Sequence, residues 1–178
     1  MGRDKAFIEF HGQSLLARAL QLARSVTPQV SIVGSVEKFG DYGSVTEDVF
    51  ADRGPLGGIH AALASSDREL NLMLAVDLPF LAADFLNYLV DTARQRRSVV
   101  TVPRAGGGLQ PLCAVYRREF AEVAAQSLRA GKNKIDPLFE HVSTTVVDEA
   151  ELTGFNPDIF RNINTPGDLA NSATISPE

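Results

Sequence analysis

One carboxylate in this sequence stands where a folded sheet would present it to a ligand. Asp77 ends the apolar run LNLMLAV, and Pro79 then turns the chain away. A carboxylate held rigidly at a strand end suits a hard cation such as Mg²⁺, because that ion prefers oxygen ligands. The same carboxylate could instead cap the segment that follows, so the residues alone leave a metal site and a cap as alternatives.

A second candidate site lies in the stretch TEDVFADRGPLGG. Asp48 follows a short predicted strand, and Gly54, Pro55 and Leu56 then lead into a predicted helix. Proline suits the first helical turn, glycine lets a ligand approach the backbone closely, and a helix N-terminus favours phosphate groups. A tightly packed turn before the helix explains the same spacing equally well.

Polar side chains near both ends of the chain are further candidates. Lys5 precedes the apolar run AFIEF and could neutralise charge during phosphoryl or nucleotidyl transfer, although a lysine near a terminus is usually only solvated. Asn162 and Asn164 are two residues apart, so they share one face of an extended segment. They could recognise a polar substrate or cap a final helix.

The elements that must position these residues alternate between strand and helix. Strands are predicted within QVSIVGS, GSVTEDVF, LNLMLAV, RSVVTVPR, LQPLCAVYRR and TTVVD, and helices within QSLLARALQLAR, PLGGIHAALASS, AADFLNYLVDTARQ, 119–130, 135–140 and TPGDLANS. This order predicts an α/β fold with a parallel-rich, doubly wound sheet, in which LNLMLAV is a central parallel strand. A Gly-rich turn joins two of the strands as a hairpin, so the sheet is mixed. Ligands bind beyond the carboxyl ends of such strands.

The composition narrows the class of protein. A length of 178 residues suits a single domain over residues 1–178, and a net charge of -5 argues against a nucleic-acid-coating protein. The single cysteine, Cys113, permits no disulfide within the chain and no cysteine-based zinc site. No apolar run approaches the length of a membrane span, and the N-terminus has no signal-peptide pattern. We therefore expect a cytoplasmic monomer.

Taken in order, these motifs resemble the molybdenum cofactor guanylyltransferases, which are nucleotidyltransferases with a Rossmann-like fold. The resemblance rests on MGRDK, GQSLLARAL, EDVFADRGPLGGIHAAL, AVDLPF, GLQPLCAVYRR and NINTPGDL, from Met1 to about Leu169. It implies a three-layer α/β/α domain with a mostly parallel mixed sheet and helices on both faces. It also implies transfer of GMP from GTP to molybdopterin, or to its molybdenum-loaded form, with release of pyrophosphate. Mg²⁺ would be the cofactor, and molybdenum cofactor biosynthesis proteins or apo-molybdoenzymes would be transient partners.

The resemblance also implies roles for individual residues. It implies catalytic roles for Lys5 at the nucleotide phosphates and for Asp77 as the Mg²⁺ ligand. It places Asn162 and Asn164 on the pterin side. The residues implied in nucleotide binding, besides Lys5 and Asp77, are Gly2, Arg3, Asp48, Gly54, Pro55 and Leu56.

The sequence departs from the family pattern in two places. The family opens with a central strand and a Gly-rich loop that cradles the triphosphate, and we expect this chain to lack that strand and most of that loop. Many members also carry an asparagine where Val33 or Gly34 stands here. Two alternatives therefore stay open. One is a related nucleotidyltransferase of the molybdopterin cytidylyl type or of the sugar-phosphate type. The motif GPLGG argues against the cytidylyl type. The other is a nucleotide-binding module that has lost turnover.

Overall fold

The structure is a computed structural model that describes residues 4–50 and 53–163. Its α-helices are α1 Leu15–Val26, α2 Val36–Phe39, α3 Pro55–Ser65, α4 Ala83–Arg96 and α5 Phe120–Arg129. Its strands are β1 Glu9–Phe10, β2 Gln13–Ser14, β3 Ser31–Val33, β4 Ser44–Thr46, β5 Leu70–Leu74, β6 Val100–Ala105, β7 Gly108–Leu109, β8 Cys113–Arg117 and β9 Thr144–Val147. Short 3₁₀ helices span Lys5–Phe7, Gly40–Tyr42, Asp136–His141 and Glu149–Leu152. The helix predicted in TPGDLANS lies outside the described residues.

The strands form a mixed sheet, as predicted. The largest sheet in the described residues has the order β5-β8-β6, with β7 and β9 both paired to β6. The ladder between β6 and β9 is parallel, whereas β8 runs antiparallel to both β5 and β6. Strands β3 and β4 form a separate parallel pair. The α/β class is therefore confirmed, and the predicted hairpin is present, because β6 and β7 meet at Gly106 and Gly107.

The expectation of parallel pairing for the LNLMLAV strand needs correction. Within residues 4–50 and 53–163, the ladder of β5 is antiparallel, with β8 as its partner. The run is apolar for another reason, which is that helices cover both faces of the strand. Met73 packs into the cluster that contains α3 and α5, whereas Leu72 and Leu74 pack on the opposite side with α4. Helices therefore cover both faces of the sheet.

Helix α1 begins where the sequence predicts. Ser14 is its N-cap, and the Ser14 Oγ accepts a hydrogen bond from the Ala17 N–H at 3.2 Å. Such a cap satisfies one of the amide groups that have no partner inside the first helical turn. The buried side of the helix carries Leu16 and Leu20, which pack together with Ile32 of β3. The strand β3 is only half-buried, so the prediction of a buried strand in QVSIVGS is met in part.

The hairpin of β1 and β2 was not predicted from the sequence. His11 and Gly12 form its two-residue loop, with φ values of 49° and 77°. Two positive φ values in succession are typical of the tight turns that match the twist of paired strands. Strands of two residues carry no detectable alternation. The hairpin places Phe10 in the interior, where it is buried with Leu15 and Ile163.

The expectation of an absent central strand stays a prediction. Among the described residues, β3 pairs with β4 and β5 pairs with β8, and no ladder joins β3 to β5. Helix α1 packs across the ends of both strands, because Leu16 and Leu20 share a cluster with Ile32 and Val76. None of the helices in this part of the chain is long and apolar enough to cross a membrane.

Candidate active site

Lys5 and Asp77, which are far apart in sequence, meet beyond the carboxyl end of β5. The Lys5 Nζ donates a hydrogen bond to the Asp77 Oδ2 at 3.4 Å. Lys5 begins the 3₁₀ turn that follows Asp4, and the Asp4 Oδ1 caps this turn by accepting a bond from the Ala6 N–H. The Lys5 side chain is 49% exposed and that of Asp77 is 22% exposed, so both charged groups remain open to a ligand from solvent.

The turn that carries Asp77 is tied to the segment that contains Asn162. The Ile163 N–H donates to the Asp77 carbonyl oxygen at 3.0 Å, and Ile163 itself is fully buried. Asn162 is exposed beside this bond. The structure therefore brings Asn162 into the neighbourhood of Asp77, as the predicted site requires. Asn164 lies outside the described residues, and so do Gly2 and Arg3.

A second ammonium group lies beside the Lys5 turn. Lys38 of α2 forms an ion pair with the Asp4 carboxylate, and its Nζ lies 5.1 Å from the centre of the Phe39 ring. Helix α2 follows β3, and Asp4 is next to Lys5 in the chain. The ion pair therefore brings the carboxyl end of β3 close to the Lys5–Asp77 pair. Sequence reasoning missed Lys38, because a four-residue helix gives no periodic signal and a lysine on it resembles a solvated surface residue.

Asp48 lies against the first turn of α3. The Asp48 Oδ1 accepts a hydrogen bond from the Phe50 N–H at 2.8 Å. A Cβ atom built on Gly57 would lie only 2.4 Å from the Asp48 Oδ2. Glycine at position 57 therefore makes room for this carboxylate. Asp48 follows β4, which is parallel to β3, so it belongs to the same edge of the structure as Lys38.

The remaining predicted residues of the α3 entry are placed differently from one another. Gly54 precedes the helix with a φ of 65°, a conformation that favours glycine, and Pro55 occupies the first helical turn. Both are exposed. Leu56 is 0% exposed, and its side chain packs in the core with Ile59 and Leu63. Its contact with a nucleotide stays a prediction. The apolar side of α3 must face the sheet, and Leu56 lies on that side.

The donor set at Asp77 fits a magnesium ion that is shared with a substrate. The described residues contain no group of three or more His, Cys, Asp or Glu side chains that could hold a metal by themselves. Mg²⁺ is commonly held by one or two carboxylates together with substrate phosphates and water. The partly exposed carboxylate of Asp77 fits this mode of binding, and the Lys5 Nζ lies 3.4 Å from its Oδ2.

Cys113 takes no part in this chemistry. Its side chain is buried, and burial raises the pKa of the thiol to about 12. The thiolate is the nucleophilic form, so a thiol with this pKa is inert at neutral pH. Cys113 is therefore a buried structural thiol.

Comparisons with known proteins identify the family of the chain. The family described as "MobA-like NTP transferase domain" matches residues 1–145. The probable molybdenum cofactor guanylyltransferase of Pelotomaculum thermopropionicum is 35% identical, over 99% of this chain and 87% of that protein. The molybdenum cofactor guanylyltransferase of Desulfosudis oleivorans is 32% identical, over 94% of this chain and 85% of that protein.

A solved structure shows the same fold. Molybdopterin-guanine dinucleotide biosynthesis protein A from Archaeoglobus fulgidus superposes with a TM-score of 0.79 and 23% identity, and the match covers 96% of this chain and 89% of the other. The match of the family over most of the chain and the identity to the curated relatives lead to one conclusion. The chain belongs to the MobA-like NTP transferase domain family of nucleotidyltransferases.

Proposed function

We propose that this chain transfers GMP from GTP to the terminal phosphate of molybdopterin, or of its molybdenum-loaded form, and releases pyrophosphate. The observation that carries the proposal is the pairing of Lys5 with Asp77, at 3.4 Å, beyond the carboxyl end of β5. The names of the curated relatives support guanylyl transfer in molybdenum cofactor synthesis as the activity.

The reaction needs positioning and charge neutralisation more than covalent help. A phosphate oxygen of the acceptor attacks the α-phosphorus of GTP, a new P–O bond forms, and the bond to the β-phosphate oxygen breaks with pyrophosphate as the leaving group. A phosphate monoester is mostly doubly ionised at neutral pH, so the attacking oxygen needs no general base. In such transfers, catalysis comes mainly from alignment and from cations near the phosphate oxygens.

Lys5 and Asp77 have different roles in this reaction. Lys5 offsets the negative charge that builds up on the leaving phosphates. Asp77 holds Mg²⁺, which when bound supplies positive charge to the phosphate oxygens. In the free protein the two side chains pair with each other. An exposed ion pair is worth only about 0–1 kcal/mol, so exchanging this contact for a phosphate and a metal costs little.

The flanking residues determine which ligands bind beside this pair. In this proposal Asp48, Gly54, Pro55 and Leu56 contact the nucleotide, and the exposed Asn162 contacts the pterin. We extend the proposal to the predicted residues outside the described part of the chain: Gly2 and Arg3 act with Lys5 on the nucleotide, and Asn164 acts with Asn162 on the pterin.

The first experiment measures GTP binding to this chain by calorimetry, with and without Mg²⁺. Asp77→Asn should lower the affinity for GTP·Mg²⁺ by about tenfold or more and abolish the effect of Mg²⁺, since a charged contact is worth about 1.4 kcal/mol or more. Lys5→Met should weaken GTP binding whether or not Mg²⁺ is present.

Matched controls lie at the opposite end of the sheet. Asp67 precedes the amino end of β5 and its side chain is 83% exposed, so Asp67→Asn removes a similar charge far from the site. Arg94 of α4 lies beside Glu69 and Leu70 and its side chain is 66% exposed, so Arg94→Met is the control for Lys5. Equal losses in Asp77→Asn and Asp67→Asn would refute the metal role.

The second experiment measures pyrophosphate release in the presence of molybdopterin with GTP, CTP, ATP or UTP. The proposal requires release with GTP above the other nucleotides. Selective use of CTP would assign the chain to a cytidylyltransferase. Binding of GTP·Mg²⁺ without any release of pyrophosphate would show that the chain is a nucleotide-binding module that has lost turnover.

We also propose a single domain over residues 1–178 that acts as a monomer in the cytoplasm, without nucleic acid or membrane. The net charge of -5 supports the absence of a nucleic-acid partner. The product would be passed on by transient contact with molybdenum cofactor biosynthesis proteins or apo-molybdoenzymes. A mass measurement by light scattering tests the monomer, and a stable dimer at micromolar concentration would contradict it.

A further inference from the structure

Arg18 reaches from α1 to the turn that carries Asp77. The Arg18 Nε donates a hydrogen bond to the Pro79 carbonyl oxygen at 2.6 Å. Pro79 lies only two residues after Asp77, so this bond fixes the far side of the same turn. The arginine is half-buried, and its stem lies among apolar residues that include Leu15, Leu22 and Leu74. A charge-assisted bond in such surroundings is stronger than one in water.

The same guanidinium also contacts the segment that carries Lys5. The Arg18 Cζ lies 5.5 Å from the centre of the Phe10 ring. Phe10 belongs to β1, which begins shortly after the 3₁₀ turn of Lys5. The Phe10 ring meets the Phe80 ring edge-on, with 5.5 Å between their centres, and Phe80 directly follows Pro79. The guanidinium therefore contacts both segments that form the Lys5–Asp77 pair.

The turn has a second anchor on its other side. The Asp77 carbonyl oxygen accepts from the Ile163 N–H, and the Leu81 N–H donates to the Leu78 carbonyl oxygen at 3.4 Å within the turn itself. Without Arg18, the Pro79 carbonyl would lose its charged partner, and the bonds from the Ile163 and Leu81 amides would remain to hold the turn.

We propose that Arg18 is a positioning residue that sets the distance between the Lys5 ammonium and the Asp77 carboxylate. The proposal rests on the proposed functions of Lys5 and Asp77. Arginine suits the task because its planar guanidinium donates in a fixed direction while its face lies over an aromatic ring. Lysine has a similar charge and length, but its ammonium group cannot make both contacts at once. Arg18→Lys should therefore not preserve the function of Arg18.

Helix α1 supplies a matched control. Arg24 is exposed on the same helix, and its Nη2 donates to the Tyr42 carbonyl oxygen at 3.0 Å. Arg24→Met therefore removes the same type of side chain, and the same type of bond to a backbone carbonyl, without touching the Asp77 turn. The test compares Arg18→Met, Arg18→Lys and Arg24→Met with the parent chain.

The first measurement is amide hydrogen exchange at Leu81 and Ile163, with the amides of β8 as an internal reference for global stability. In Arg18→Met, exchange at both positions should rise by about tenfold relative to β8, because one charge-assisted hydrogen bond is lost. Arg18→Lys should behave like Arg18→Met, and Arg24→Met like the parent. Unchanged exchange at Leu81 and Ile163 in Arg18→Met would overturn the inference whatever the activity of the chain.

The second measurement is the Mg²⁺ concentration needed for half-maximal GTP binding. Arg18→Met and Arg18→Lys should raise this concentration, and Arg24→Met should not. Faster exchange with an unchanged Mg²⁺ requirement would show that Arg18 stabilises the turn without positioning Asp77, and would refute the proposal. If the parent chain binds no GTP·Mg²⁺, the proposed function fails, and the exchange data still decide whether Arg18 holds the turn.

Discussion

Replacement of Gly57 by alanine tests how the structure holds Asp48. The new Cβ would lie 2.4 Å from the Asp48 Oδ2, far inside normal contact distance, so the carboxylate must move. Such movement breaks the 2.8 Å bond from the Phe50 N–H to the Asp48 Oδ1. We expect the fold to survive, because the atom that has to give way belongs to a side chain rather than to the backbone.

Gly58 provides the control, one residue further along the same helix. A Cβ on Gly58 would lie 3.5 Å from the Val33 Cγ1, which is an ordinary contact. Both substitutions bring the same gain of about 0.5–1 kcal/mol from replacing glycine by alanine in a helix, so this gain cancels in the comparison. The difference that remains is the bond to Asp48, worth about 1–2 kcal/mol when its partial exposure is taken into account.

Two assays measure this difference. Urea unfolding should show Gly57→Ala to be less stable than Gly58→Ala by about 1–2 kcal/mol. Calorimetry should show that GTP·Mg²⁺ binds about tenfold more weakly to Gly57→Ala than to Gly58→Ala, because Asp48 is displaced from the proposed nucleotide site. Equal stability would show that Asp48 adapts without losing its bond. Equal GTP affinity, together with a confirmed loss of stability, would refute the nucleotide contact of Asp48.

Three further predictions concern the cap, the thiol and the acceptor side. Ser14→Ala should lower the free energy of unfolding by about 1 kcal/mol in urea, because the cap of α1 is lost; an unchanged midpoint would contradict this. Cys113 should resist thiol reagents at pH 8 until the chain unfolds. Since burial raises its pKa from 9.0 to about 12, the unfolded chain releases this proton first, and stability should fall as the pH rises above 9. Urea midpoints measured at pH 8 and pH 10 check the sign, and rapid labelling of the native protein would contradict the burial. Asn162→Ala should raise the KM for the pterin substrate more than the Kd for GTP, and equal losses would argue against the pterin side.

The local features of this fold could be predicted from the sequence. The strand-helix order and the proline-led start of α3 agree with the structure. Each depends on interactions between residues close together in the chain, such as capping hydrogen bonds and hydrophobic periodicity. The short β1–β2 hairpin escaped prediction because its strands are too short to show a period.

The candidate site also combines features that the sequence indicates with contacts that only the folded structure makes. The sequence determined which residues follow the strands, and the order of the motifs from Met1 to about Leu169 was enough to indicate the family. Only the tertiary structure decided that Lys5 contacts Asp77 and that Arg18 reaches Pro79. It also decided that β5 pairs antiparallel with β8 and that Leu56 faces the core. These contacts join residues that are distant in the chain. Such contacts depend on which strands pair and on which side each helix packs, and no local pattern of residues encodes either choice.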